Sequence, residues 1–296
     1  YTLSLHDALP ISKLDKRSVV YSTIGFGIML YAFSSAGNLG FSNPIVIGSL
    51  IISIIIISIF VRRQLTISNP LLNLNVFKGR IFCFSTITSM IIMLSMVGPA
   101  LLIPLYVQNA LGLSALLSGL VIMPGAIING IMSVFTGRFY DKYGPRPLIY
   151  AGFSLLTICT LLLCFLKADT SYIYLIVIYA IRMFAVSLLM MPINTTGINA
   201  LDNKDISHGT AIMNFGRVMA GSLGTALMVT FMSIGSKWIG PSSSAHASKE
   251  LLQRQSVAAG VDVSFALVTG FVVVAFLFAL FIKEPNRKSQ IGRAHV

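Results

Sequence analysis

The apolar residues of this chain lie in long blocks separated by short polar links. A helix that crosses about 30 Å of hydrocarbon needs roughly 20 mostly apolar residues. Eight blocks meet that requirement: 19–36, 44–61, 81–107, 116–136, 148–166, 172–193, 210–234 and 265–282. The pattern therefore predicts an all-α polytopic membrane protein with eight transmembrane helices. Link lengths divide the spans into two and six, because the connection 62–80 is longer than its neighbours. That connection has a partly apolar face (Leu71, Leu72, Leu74, Val76, Phe77) suited to lying along a membrane surface.

Charge supplies the orientation. The odd-numbered links, counted from the one before the first span, hold fourteen Lys and Arg against four in the even-numbered links. By the positive-inside rule both ends of the native segment are cytoplasmic. Composition agrees with a membrane protein: 55% of residues are hydrophobic and only 10% charged, against about 25% charged in soluble domains. The net charge of +12 does not indicate nucleic acid, because the basic residues sit between apolar runs instead of forming one water-facing stripe.

Other chemistry is sparse. Cys83, Cys159 and Cys164 lie inside apolar stretches with no CxxC spacing, and are read as small apolar fillers with no metal or disulfide role. No cofactor is expected, and no phosphate-binding GxxxxGK[ST] loop is present. A membrane transferase would need clustered His, Asp or Cys at one face. His208 beside Asp205 is the one such pairing, and it reads as a helix-cap region. The ends, 1–12 and 291–296, resemble translated sequencing-adapter tails and are set aside. The native part is then expected to begin in mid-protein.

One stretch concentrates charge. Residues 137–146 read GRFYDKYGPR, a charged turn between apolar runs, with Gly144 free to take a positive φ and Pro145 and Pro147 read as helix stops. Composition alone makes it a positive-inside anchor. Its spacing, however, is similar to the cytoplasmic signature G-x-x-x-D-[RK]-x-G-x-[RK] of the major facilitator superfamily, matched at Gly137, Asp141, Lys142, Gly144 and Arg146. In that family the signature joins the second and third helices of each half and holds the cytoplasmic gate, and here it joins the second and third of the six clustered spans. With the extra helix pair and the connector P-L-L-N-L-N-V-F-K-G-R, the chain resembles the fourteen-span drug:proton antiporter branch.

The resemblance implies an extra helix pair plus one six-helix half of a major facilitator bundle. Its divisions are an inserted pair at 13–62, a cytoplasmic connector at 63–80, a C-terminal transport half at 81–285 and a tail at 286–296. It implies a non-enzymatic secondary transporter in the cell (inner) membrane, exporting small hydrophobic or cationic substrates against protons, with membrane lipids around it and an N-terminal six-span half missing. A metabolite or peptide carrier and a non-transporting membrane fragment remain as alternatives.

Within the spans, several residues are candidates for a cavity or pathway. Arg182 is ten residues into the sixth span, where an arginine costs about 2.5–3.5 kcal/mol on insertion scales. Two readings stand, a guanidinium bonded to helix carbonyls and a charge facing a wet interior. The resemblance makes the third and sixth spans cavity liners. Arg217 and Asn214, with Gly221 and Gly224, match a pattern of the antiporter branch, although Val218 replaces its glutamine. Met93 and Met190 are soft side chains for a drug-binding wall or for plain packing, and Asn129 is a candidate interhelical hydrogen bond. Gly98, Pro99 and Pro104 in the third span and Pro124 in the fourth predict bends. Tyr106, Gln108 and Asn109 read as anchors at the outer boundary. The nine acidic residues, Asp262 among them, all fall in tails or links, so no embedded proton site is expected.

Overall fold

The structure is a computed structural model that describes residues 15–67, 70–167, 169–239 and 249–281. The adapter-like ends, Lys13 and the basic tail 283–288 lie outside the described residues. Eight helices follow in order: α1 Lys16–Leu39, α2 Pro44–Thr66, α3 Arg80–Asn109, α4 Ala115–Tyr143, α5 Pro145–Leu162, α6 Tyr172–Asn199, α7 Ile206–Ile239 and α8 Lys249–Leu280. All eight are long and apolar enough to cross a membrane. The described residues contain no strand.

Local chemistry accounts for the helix starts. Asp15 and Asn43 cap α1 and α2 by accepting from the N–H of Arg17 and Ile45. Pro44 and Pro145 occupy the first helical position, where a missing N–H costs nothing. The expectation for residues 137–146 is corrected here. Gly137 to Tyr143 are not a turn but the last two turns of α4, held by a Phe139–Tyr143 ring contact at 6.3 Å and by Arg138 over Phe135. The turn is Gly144 alone, at φ 77°, and Pro145 opens α5 instead of stopping a helix.

The link lengths divide these helices into the pair α1–α2 and the six-helix unit α3–α8. In the six-helix unit α3 and α6 are the most buried spans. Ile92, Leu94, Phe153, Val186, Leu189 and Met228 form its main apolar core. The α1–α2 pair meets this unit chiefly where α1 packs on α7, through Phe26 and Phe215 and through Ala36 against Ala226. The connector forms a single 3₁₀ turn, Leu74–Lys78, and docks on protein. Val76 is buried with Phe82, Ile212 and Met213, and Asn73 donates to Asp205 at 2.8 Å.

The largest difference from the expected spans is α8. It begins at Lys249 and not near residue 265, so KELLQRQ is its opening and Asp262 lies within the helix. Hydropathy misses such a segment because its polar residues lower the mean below that of a spanning block. Tyr106 also differs from expectation, being fully buried with its hydroxyl donating to the Lys167 carbonyl.

Glycine sets the α7–α8 distance. A Cβ on Gly260 would stand 2.3 Å from the Met232 carbonyl oxygen, whereas one on Gly130 meets nothing within 4 Å. Gly260→Val is therefore expected to lower the melting temperature, by an overpacking cost of about 1–3 kcal/mol, while Gly130→Val leaves it within error. Equal melting of the two variants in detergent would contradict this helix crossing.

At the start of α1 the Arg63 guanidinium, 2.8 Å from Asp15, and the Ser18 hydroxyl hold the Asp15 carboxyl well below the usual carboxylate range. A depressed carboxylate contributes stability above its unfolded pKa, about 3.9, and loses it only as pH falls through the lower folded value. Amide exchange in the first turn of α1 is thus expected to be flat in its protection between pH 8 and 5, and to lose protection in Asp15→Asn at pH 7.

Candidate functional site

The candidate residues fall into separate places along the bundle. The signature residues Asp141, Lys142 and Arg146 are exposed around the α4–α5 junction, with the Lys142 ammonium 5.1 Å from the Tyr143 ring centre. Gly137, one turn earlier, faces Met191 of α6, 3.6 Å from where a Cβ would stand.

Arg182 lies on α6 at the contact with α3 and is completely buried. Its Nη2 donates to the backbone carbonyl of Ser95 and, at 3.0 Å, to the Ser95 hydroxyl. The reason is in the chain four residues on. Pro99 has no N–H, so inside α3 it leaves the carbonyl of residue 95 without its helical donor. The guanidinium supplies that donor from the neighbouring helix. Its Nε and Nη1 have no partner among the described residues, and Arg182 lines none of the described pockets. Tyr179 and Cys159 are its electrostatic neighbours.

The other candidates are placed as follows. Asn129 donates to the Met183 carbonyl at 3.1 Å, an α4–α6 tie. Ser89 donates to Asn194 at 3.0 Å, a second α3–α6 tie that the sequence reading missed. Arg217, half-buried on α7, donates to the exposed Asn214 one turn earlier. Gly98 packs against Met228, and a Cβ on Gly224 would stand 3.0 Å from the Leu94 backbone, so α3 and α7 approach closely. Met93 sits beside Gly221, and Met190 packs on the main core. Pro104 and Pro124 lie inside continuous helices.

A cavity of about 450 Å³ opens between α1, α3, α7 and α8. Met29, Phe33, Met90, Leu94, Met219 and Phe271 line it, and every residue of its wall is apolar. Two of those side chains come from α1, which the sequence reading assigned only to an inserted pair.

These observations describe eight membrane-length helices with exposed charged residues at the α4–α5 junction. Residues 18–225 match the Major Facilitator Superfamily. The chain belongs to that superfamily. Among major facilitator relatives it is 38% identical over 274 residues to the lincomycin resistance protein LmrB of Listeria innocua, covering 93% of this chain and 58% of that protein. It is 34% identical over 279 residues to the uncharacterized MFS-type transporter YcnB of Bacillus subtilis, covering 94% of this chain and 57% of that one. To the multidrug export protein EmrB of Escherichia coli K12 it is 25% identical over 237 residues, covering 79% of this chain and 45% of EmrB. The chain thus spans less than two thirds of these relatives' length.

The Pro99–Ser95–Arg182 arrangement makes a cycle testable. Arg182→Met removes the carbonyl's donor, a loss of about 1–3 kcal/mol, while Pro99→Ala returns an N–H to that carbonyl. The destabilisation by Arg182→Met is expected to shrink by about that amount in the Pro99→Ala background. Any relief from removing the buried charge is common to both backgrounds and cancels. Additive melting shifts would dissociate the arginine from the proline.

Proposed function

We propose that this chain is the inserted helix pair and C-terminal half of a fourteen-span exporter that moves hydrophobic or cationic drugs outward in exchange for protons. The observation that carries this reading is the likeness, over nearly the whole chain, to proteins named for lincomycin resistance. The apolar cavity of about 450 Å³ supports it, since drug-sized sites are mostly apolar and of this volume.

In this reading the Gly144 end faces the cytoplasm, where the signature governs opening, and the protein resides in the cell membrane. A further six-span unit completes the transporter, and substrate binds between the two halves near the midplane. Arg182 has a place in the scheme as well. Its two unpartnered nitrogens make it the charge most readily recruited when α3 and α6 separate, so it serves as a pathway group in one conformation and a carbonyl donor in the other. Asn214, exposed on α7, and the half-buried Arg217 bonded to it then face the second half.

The complete gene, expressed in a drug-sensitive host, is expected to raise the tolerated lincomycin concentration and to lower dye accumulation, with a protonophore abolishing both. Asp141→Asn in that protein should reduce export by tenfold or more at unchanged membrane abundance. Export insensitive to a protonophore would remove the proton-antiport part, and full export by Asp141→Asn would reduce the signature to an anchor.

A further inference from the structure

The end of the bundle opposite Gly144 holds a pocket of about 500 Å³, formed by the α5–α6 connection and the first turns of α8. None of the candidate residues above lines it. Its apolar surface includes Leu251 and Ala258, and its charged groups are Lys167, Asp169, Arg254 and Asp262.

Asp262 decides what this pocket accepts. The side chain is half-buried, and its Oδ1 accepts the N–H of Leu166 at 2.9 Å. No lysine or arginine among the described residues forms an ion pair with it. A carboxylate has about four acceptor sites, and a partly buried charge without a counter-charge is costly. The remaining charges act more weakly in the pocket. Lys167 and Asp169 are exposed on the connection and opposite in sign, so water and salt screen them beyond about 8 Å. The Arg254 guanidinium lies against Gly112, 3.0 Å from where a Cβ would stand, which places its charge at the α3–α4 connection. Of the two partly buried charges in the wall, Arg254 is held against Gly112, and the one left facing the pocket is the Asp262 carboxylate.

We propose that this pocket binds an organic cation, with the cationic head on Asp262 and an apolar body against Leu251 and Ala258. Its assignment to the outward face, as a site that a cation occupies on leaving the transporter, rests on the export reading above. Cation binding itself stands on the pocket.

The test is equilibrium dialysis of the detergent-purified full chain with tetraphenylphosphonium and with tetraphenylborate, ions of one shape and opposite charge, after subtraction of micelle partitioning. The phosphonium is expected to bind at least tenfold tighter than the borate. Asp262→Asn keeps an acceptor for the Leu166 N–H and should weaken phosphonium binding about tenfold. Gln255→Trp, at an exposed position in the pocket wall, should block the phosphonium without changing any charge, and serves as the deciding variant if Asp262→Asn melts early. Equal binding of the two ions, or unchanged phosphonium affinity in either folded variant, overturns the proposal. Drug export by the complete protein with binding independent of Asp262 would sink this site alone, and Asp262-dependent binding in a protein that exports nothing would sink the export reading alone.

Discussion

A backbone carbonyl at membrane depth must have a donor, because hydrocarbon offers none. The carbonyl of Ser95 is where this rule presses hardest, since Pro99 removes its helical partner in the most central contact of the bundle. The Arg182 guanidinium fills the vacancy from α6. Two expensive features, a proline inside a spanning helix and a fully buried arginine, thus offset one another. The seam they share also carries the Ser89–Asn194 bond and, beside Gly197, the Ser85 hydroxyl, which has no partner among the described residues. It is formed by the two helices that the family resemblance assigns to the transport path.

Around that seam, packing follows the logic of helices in lipid, where burial of apolar surface gives no advantage over contact with acyl chains. Close approach does the holding instead. Gly224 lets α7 reach the Leu94 backbone, and Gly260 admits the Met232 carbonyl. The Ser264 hydroxyl then donates to the Met228 carbonyl at 3.0 Å across the same α7–α8 crossing. Larger apolar residues point outward: Ile51, Ile52, Ile54 and Ile55 of α2 are all exposed, as are Ile127, Ile131 and Val134 of α4.

Much of this architecture was legible in the sequence because membrane spans announce themselves by length and composition. The eight blocks became eight helices, and the charged segment runs through the last turns of α4 into the start of α5. Helix ends were less legible. Nothing in GRFYDKY forbids a helix, so α4 continues until Gly144 turns the chain at positive φ, and the polar opening of α8 hid Asp262 from a reading based on hydropathy. Of the site, the need at Ser95 was readable, since any proline inside a helix exposes the carbonyl four residues earlier. Its donor was not readable, because the pairing of α3 with α6 brings together residues 87 positions apart.

The single-residue link at Gly144 has a mechanical meaning. Tyr143 ends α4 and Pro145 begins α5, and the proline ring fixes its own φ. The relative direction of two membrane-length rods is therefore stored in the φ and ψ of one glycine. α4 leans on α6, while α5 is braced by both α6 and α8, so the two rods answer to different supports. A few degrees at that pair of torsions, multiplied along the 29 residues of α4, becomes ångströms at the far side of the bilayer.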